Sequence, residues 1–167
     1  PRRAKMFAEQ RLPRGTSDLQ GLSGSTMFQM NDAGLVLPVD YSKLKNAANL
    51  MPSMKYPYGV GHIYSGMVGV YHPKLMPTAP TSYKEIFDPK HGSKMALIDI
   101  QYQYNLTCAA LAAGGKAGDI ELGKKLLVEC KKAGMRIYAT NEAFAQALKT
   151  EEFALGVMWR ARVVQWQ

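Results

Sequence analysis

The sequence predicts an α/β fold, in which short apolar strands alternate with amphipathic helices. Two observations carry this prediction. Met95–Ile98 and Leu155–Trp159 are apolar runs of strand length, and the segment between them has a helical period over Ile120–Ala133. The apolar side of that helix is formed by Leu122, Leu126, Leu127 and Cys130. No run approaches the roughly 18 apolar residues that a membrane-spanning helix needs.

The N-terminal half contains short and irregular elements. A strand is predicted at Leu19–Leu22 and a helix at Met27–Ala33, because hydroxyl side chains precede the helix and Gly34 follows it. Residues 35–54 are rich in Pro and Asn, which predicts an irregular segment with one helical turn near Tyr41–Leu44.

The C-terminal half repeats a unit of strand, polar loop and helix. Val60–Tyr71 is the most strand-like stretch, with glycines that indicate bends. Thr81 or Ser82 is expected to cap a short helix, and Asp99–Asn105 is predicted to be a polar, aromatic loop. The remaining predicted elements are the helices Tyr83–Phe87 and Leu106–Ala113, the strand Met135–Tyr138, the helix Glu142–Lys149 after a Thr140 or Asn141 cap, and a last helix Ala161–Gln167.

The chain of 167 residues carries a formal net charge of +8, from 21 Lys plus Arg against 13 Asp plus Glu. Five of the positive residues lie within the first fourteen positions, and most others are spread singly. No zinc-finger spacing or aromatic RNA-binding motif accompanies them. The sequence therefore predicts a solvated basic surface and no nucleic-acid partner.

Sequence motifs of catalysis and metal binding are missing. His62, His72 and His91 are scattered, and Cys108 and Cys130 lack the CxxC spacing of a metal or redox site. No nucleophile elbow, phosphate loop or dinucleotide fingerprint occurs. We therefore predict a protein that is not an enzyme and that holds no cofactor or metal. The cysteines are expected to be buried thiols, with a disulfide as the alternative in an oxidising compartment.

The N-terminus, Pro1–Lys5, is basic, but no apolar core or small-residue cleavage site follows it. It therefore does not resemble a signal peptide. The chain also has no initial Met, and its last predicted helix has no stop signal. These features are expected of a mature or trimmed protein, or of a part of a longer one.

Polar or aromatic residues follow four of the predicted strands, where a helix begins. They lie at Ser23–Met27, Asp99–Asn105, Thr140–Glu142 and Trp159–Arg162. The carboxyl ends of strands in an open α/β sheet face one crevice, where ligands bind, and helix N-termini offer N–H donors to anions. Ordinary helix capping is the alternative for each segment alone, but four such segments in one chain predict a shared binding cleft.

One segment carries a family resemblance. Residues 83–99, which read YKEIFDPKHGSKMALID, resemble a segment of the periplasmic solute-binding proteins of ABC transporters, within the type 2 group that includes polyamine and ferric-iron binders. Further segments that resemble this family, in the family's order, are residues 35–44 (LVLPVDYSKL), 56–59 (YPYG), 67–71 (MVGVY) and 156–159 (GVMW).

The resemblance implies a type 2 periplasmic-binding-protein fold of two α/β lobes with mixed sheets and flanking helices, of which this chain is an incomplete portion. Residues 1–65 would form the C-terminal part of the first lobe and the entry to the hinge, and residues 66–167 most of the second lobe. The family binds a ligand between its lobes. The resemblance therefore also implies a periplasmic location, a membrane permease as partner and a monomer at full length.

The resemblance also suggests which side chains bind the ligand. Asp99 matches a carboxylate that meets a ligand amine, and Trp159 matches a stacking tryptophan. Arg160 and Arg162 suit a carboxylate or phosphate, with a solvated position at the start of the last helix as the alternative. The predicted ligand-binding residues are Ser25, Thr26, Met27, Asp99, Tyr102, Tyr104, Asn141, Trp159, Arg160 and Arg162.

These residues predict a small polar solute that bears an amine, an acid group or both. A polyamine, an opine-like amino-acid conjugate or an organophosphonate would fit. The predicted function is solute capture for an ABC importer. A ligand-sensing effector domain or an enzyme built on the same fold is the alternative, and a purely structural α/β domain is a third.

Overall fold

A computed structural model describes residues 2–166, so that Pro1 and the last residue of the predicted helix Ala161–Gln167 lie outside the described residues. The chain divides into two compact units, Pro1–Tyr64 and Ser65–Gln167. Between residues 2 and 166, no helix is long and apolar enough to cross a lipid bilayer.

The first unit contains short elements. Its helices are α1 (Arg2–Glu9) and α2 (Gly24–Asp32), and β1 (Lys55–Tyr56) pairs antiparallel with β2 (Gly59–Val60). Single 3₁₀ turns lie at Tyr41–Lys43, Ala47–Asn49 and Pro52–Met54.

Tyr41 ties the first of these turns to the two-stranded ladder. Its hydroxyl lies 3.0 Å from the carbonyl oxygen of Tyr56 and 2.9 Å from that of Gly59, within hydrogen-bond distance of both. The predicted helical turn near Tyr41–Leu44 is therefore confirmed, and the hydrogen bonds from its hydroxyl to the ladder explain the tyrosine at position 41.

Two predictions for the first unit are wrong. Leu19–Leu22 forms no strand, because no segment of residues 2–166 pairs with it and Leu19 is exposed. Helix α2 begins at Gly24 and not at Met27, because the helix cap is Ser23, whose Oγ accepts a hydrogen bond from the backbone N–H of Thr26.

A four-stranded sheet forms the centre of the second unit. Its strands are β3 (Met67–Tyr71), β4 (Met95–Ile98), β5 (Arg136–Tyr138) and β6 (Leu155–Trp159), and their spatial order is β3-β6-β4-β5. Strand β4 runs parallel to both β5 and β6, whereas β3 runs antiparallel to β6. The predicted strands Met95–Ile98 and Leu155–Trp159 are confirmed.

Helices cover both faces of this sheet. They are α3 (Tyr83–Ile86), α4 (Tyr102–Ala112), α5 (Ile120–Lys132), α6 (Asn141–Lys149) and α7 (Arg160–Trp166), with 3₁₀ turns at Pro89–Lys94 and Asp99–Gln101. Because side chains alternate along a strand, Met95 and Leu97 pack under α4 and α5, while Ala96 and Ile98 pack on the side of α6.

Three further predictions need correction. Asp99–Asn105 is not a loop, because a 3₁₀ turn runs directly into α4 at Tyr102. Val60–Tyr71 is not one strand, since β2 ends at Val60 and β3 begins at Met67. Leu122 does not face inward but is 38% exposed, and the buried residue beside it is Gly123, where α5 meets the backbone of α4.

The two cysteines are free and buried, as predicted, with Cys108 3% and Cys130 0% exposed. Burial raises the pKa of Cys108, and it raises the pKa of Cys130 to about 11. The thiolate is the reactive form, and both thiols stay protonated at pH 8 because this pH lies below their raised pKa values. We expect the folded chain to react far more slowly with a disulfide reagent at pH 8 than the unfolded chain.

The release of the reagent's coloured thiolate measures this reaction. Unfolding in guanidinium should expose both thiols and restore ordinary rates. The variant Ser53→Cys is the matched control, because Ser53 is exposed and a thiol there should react in the folded state. A native chain that reacts as fast as this control would contradict the burial of Cys108 and Cys130.

Helix α3 begins at a carboxylate-stabilised turn. The backbone N–H and the hydroxyl of Thr81 each donate to the carboxylate of Glu85 at 2.8 Å, and the Oγ of Ser82 accepts from the N–H of Glu85. The Thr81 bonds lower the pKa of Glu85 below its ordinary value of 4.5. A lowered pKa means that the stabilisation is present above pH 4.5 and is lost as the pH falls through the folded-state value.

We therefore expect Glu85→Gln to lower the melting temperature at pH 7, with a smaller difference from the parent at pH 3. Thermal denaturation followed by circular dichroism at the two pH values measures this. Lys84→Gln on the same helix changes the charge without removing either bond and is the control. The prediction fails if the effect of Glu85→Gln is as large at pH 3 as at pH 7.

Candidate functional site

The carboxyl ends of three strands carry most of the predicted site residues of the second unit. Asp99 follows β4, Asn141 lies just beyond β5, and Trp159 ends β6. Because these strands are parallel, their carboxyl ends meet at one edge of the sheet. The parallel register pairs Met95 with Leu155 and Ala96 with Gly156, and Asp99 and Trp159 each lie three residues beyond the second pair.

Trp159 and Tyr104 form the aromatic part of this edge. Their ring centroids are 4.5 Å apart with an interplanar angle of 73°, an edge-to-face contact. Both side chains are half-buried, and Trp159 packs against the core that includes Phe144 and Met158. The structure thus brings together two residues that the sequence analysis singled out separately.

Tyr102 does not join this aromatic contact. It lies two positions before Tyr104 on α4, and residues at that spacing face different directions. Tyr102 and Asp99, both exposed, instead line a cavity of about 260 Å³ beside α4, α5 and β5. Apolar side chains such as Leu127 and Val128 form much of its wall. The predicted cluster therefore divides into an aromatic pair and a cavity rim.

Asn141 is the first residue of α6, and its side chain is held by a hydrogen bond from a buried residue. The helix is capped by Thr140, whose Oγ1 accepts a hydrogen bond from the N–H of Ala143 at 3.1 Å. The Oδ1 of Asn141 accepts a hydrogen bond of 2.8 Å from the side-chain amide of Gln101, which is 4% exposed. The predicted cap at Thr140 is therefore confirmed, and Asn141 is tied to the turn that follows β4.

Two functional candidates, Gln101 and Asn105, were missed by the sequence analysis. Both carry buried side-chain amides, and Asn105 donates to the carbonyl oxygen of Ile98 at 2.9 Å. The spacing of four residues, which places two side chains on one helical face, could have identified them. This spacing did not point to a shared face because residues 99–105 were predicted to form a loop and not a helix.

The two arginines lie at the start of α7 and are exposed. The backbone N–H of Arg160 donates to the carbonyl oxygen of Gly66 at 3.0 Å, which fixes the beginning of the helix against the segment before β3. The Nη1 of Arg162 lies 3.4 Å from Oε1 of Gln165 on the same helix. Both cations therefore stand near the end of β6, as the sequence suggested, with Arg162 held along the helix surface.

The three predicted residues of the first unit lie in the first turn of α2. The Oγ of Ser23 is 3.2 Å from that of Ser25 and 2.9 Å from Oγ1 of Thr26, so the hydroxyls form one hydrogen-bonded group. Met27 packs against Gly59, since a Cβ built there would lie 2.9 Å from the Met27 sulfur. The part that Ser25, Thr26 and Met27 play in ligand binding stays a prediction.

Acidic and soft side chains do not assemble into a metal site in the part of the chain that the structure describes. No group of three or more His, Cys, Asp or Glu residues there could hold a metal ion. His91 has a different role, because its Nε2 lies 2.8 Å from the carbonyl oxygen of Glu85. The chemistry at the strand ends is therefore that of aromatic faces, one carboxylate, side-chain amides and nearby guanidinium groups.

Comparison with known proteins finds likeness in structure. No protein-family model and no curated protein matches the sequence. The structure of the Atu4243-GABA receptor matches with a TM-score of 0.83 and 22% identity, over 97% of this chain and 52% of that one. An ABC transporter substrate-binding protein from Bradyrhizobium japonicum matches with a TM-score of 0.73 and 25% identity, over 84% and 46%.

A spermidine/putrescine ABC transporter substrate-binding protein, PotD from Streptococcus pneumoniae, has a TM-score of 0.61 and 18% identity, over 84% of this chain and 46% of its own. The chain thus spans about half the length of the solved structures it matches. Its sheet and helices are those of the group that the sequence resembles. The chain has the type 2 periplasmic-binding-protein fold of ABC transporter substrate-binding proteins.

Proposed function

We propose that the chain belongs to the substrate-binding component of an ABC importer and captures a small solute that bears both an ammonium and an acid group. One observation carries the proposal: the Trp159–Tyr104 aromatic contact lies at the carboxyl end of β6, at the same end of the sheet as Asp99 and directly before Arg160 in sequence. The proposal includes the assignment of the first unit to the first lobe and of the second unit to the second lobe.

The chemistry of these groups favours a zwitterion. An indole face attracts an ammonium group or an aliphatic chain, and a carboxylate accepts charge-assisted hydrogen bonds from an ammonium. A guanidinium binds a carboxylate or phosphonate through paired hydrogen bonds. A bare polyamine would use the first two groups and would be repelled by the third.

Among the solved structures that the chain matches, one is a GABA receptor and another is a spermidine/putrescine substrate-binding protein. γ-Aminobutyrate carries both charges, whereas putrescine and spermidine carry ammonium groups alone. Solute delivery to a membrane permease, a periplasmic location and a monomeric state complete the proposal. Ligand would act by stabilising one conformation of the protein over another.

Isothermal titration calorimetry tests the proposal on a protein that contains all 167 residues of this chain. The probes are γ-aminobutyrate, 2-aminoethylphosphonate, octopine, putrescine and spermidine. We expect at least one of the three zwitterionic probes to bind more tightly than both polyamines. Tighter binding of a polyamine would overturn the zwitterion assignment, and no binding of any probe would overturn the proposed function.

The variant Asp99→Asn tests binding of the ligand's ammonium end separately from binding of its acid end. It should weaken every probe that binds through an ammonium group, because it removes the negative charge and keeps the shape. Asp18→Asn, at an exposed position of the first unit, is the matched control. Equal affinity of Asp99→Asn and this control would exclude Asp99 from the ammonium site.

A further inference from the structure

Two buried amide side chains lie beneath the strand ends of the second unit. Gln101 and Asn105 are each 4% exposed and are the buried polar side chains of the described residues. Gln101 ends the 3₁₀ turn that follows β4, and Asn105 lies in the first turns of α4. We refer to these two residues as the amide pair.

Asn105 holds the end of β4. Its Nδ2 donates a hydrogen bond of 2.9 Å to the carbonyl oxygen of Ile98, the residue directly before Asp99. The backbone that leads into Asp99 is therefore fixed by a side chain of the helix that follows it.

Gln101 connects the other two strand ends. Its Nε2 donates a hydrogen bond of 2.8 Å to Oδ1 of Asn141, at the start of α6, and lies 3.9 Å from the sulfur of Met158. Met158 directly precedes Trp159 in β6. Gln101, which itself lies in the turn after β4, thus contacts both the start of α6, which follows β5, and strand β6.

Each member of the amide pair carries a buried acceptor that costs stability. The Oε1 of Gln101 and the Oδ1 of Asn105 are buried and have no hydrogen-bond partner among the described residues. An unsatisfied buried acceptor costs free energy that an apolar side chain of the same size would avoid. Local violations of this kind are expected where a residue serves a site rather than the core.

We infer that Gln101 is a positioning residue for ligand binding, which orients Asn141 and aligns it with Trp159 across the three strand ends. The inference rests on the proposed function, because it assigns a role within the same site. Gln101 itself acts through Asn141, since its own polar atoms are shielded from the surface.

The variant Gln101→Met tests the inference, because methionine keeps the length of the side chain and removes the hydrogen-bond donor. The affinity for γ-aminobutyrate, measured by calorimetry, should fall about three- to tenfold, the equivalent of one buried hydrogen bond. The melting temperature should stay unchanged or rise. Gln146→Met, at an exposed position of α6, is the matched control and should alter neither quantity.

A merely structural role of Gln101 would give the opposite result, a lower melting temperature with unchanged affinity. The double variant Gln101→Met with Asn141→Ala adds a second criterion. If Gln101 acts through Asn141, the two losses of affinity are not additive, and the double variant binds about as well as Asn141→Ala alone. Additive losses would overturn the inference.

Failure of the inference and failure of the proposed function give different results. Equal affinity of the parent and Gln101→Met for γ-aminobutyrate would overturn the positioning role and leave the function in place. If γ-aminobutyrate does not bind and another of the five probes does, the same comparison is made with that probe. A parent protein that binds none of the five would overturn both.

Discussion

Replacement of Gly123 by alanine is expected to lower the free energy of unfolding of the second unit by about 2 kcal/mol, the net of overpacking and a gain in helix propensity. Gly123 lies where α5 crosses α4. A Cβ there would collide with the carbonyl oxygen of Leu106 and would lie 3.0 Å from the backbone nitrogen of Ala110. Backbone atoms cannot rotate away as a side chain does, so the two helices would have to separate.

Urea denaturation followed by circular dichroism measures this loss. Gly118→Ala is the matched control, because nothing lies within 4 Å of a Cβ at Gly118, and it should change stability by less than about 0.5 kcal/mol. If Gly123→Ala proved as stable as the control, α4 and α5 could not pack as closely at Gly123 as the structure shows.

Replacement of Trp159 by alanine is expected to weaken binding of the tightest zwitterionic probe by about 1–2 kcal/mol, which corresponds to roughly five- to thirtyfold in affinity. The indole supplies the flat apolar face at the end of β6, and the edge-to-face contact with Tyr104 holds it in place. Without the indole, the ligand loses its stacking surface and Tyr104 loses its partner.

Calorimetry with the same probe measures this effect, and Trp166→Ala is its control. Trp166 is the other tryptophan of the chain and lies in α7, 37% exposed. It should leave the affinity within twofold of the parent, a difference below about 0.5 kcal/mol. If both variants bind like the parent, Trp159 is not part of the ligand site.

Local chemistry explains which elements could be predicted from the sequence. Strands β4 and β6 are short apolar runs with clear boundaries, and the caps at Ser82 and Thr140 are hydroxyl residues directly before a helical period. Such signals depend on neighbours in sequence. The sequence was therefore sufficient to identify the edge of the sheet that carries Asp99 and Trp159.

The remaining features depend on contacts between residues far apart in sequence. Residues 99–105 look like a loop because they are mostly polar, yet the amide of Gln101 finds its partners only after α6 and β6 have come together beside it. Whether Leu122 or Gly123 faces inward is decided by the crossing of α4 and α5. Periodicity within one helix contains no information about that crossing.

The position of β6 in the sheet has a consequence for synthesis of the chain on the ribosome. This strand is the last of the sheet in sequence, yet it lies between β3 and β4 and pairs with both. Until residue 159 has left the exit tunnel, β3 has no strand beside it, and β4 has only β5. The nascent second unit must therefore remain incompletely folded, with exposed apolar strand surface, until β6 is available. A chaperone would be most useful to it at this stage.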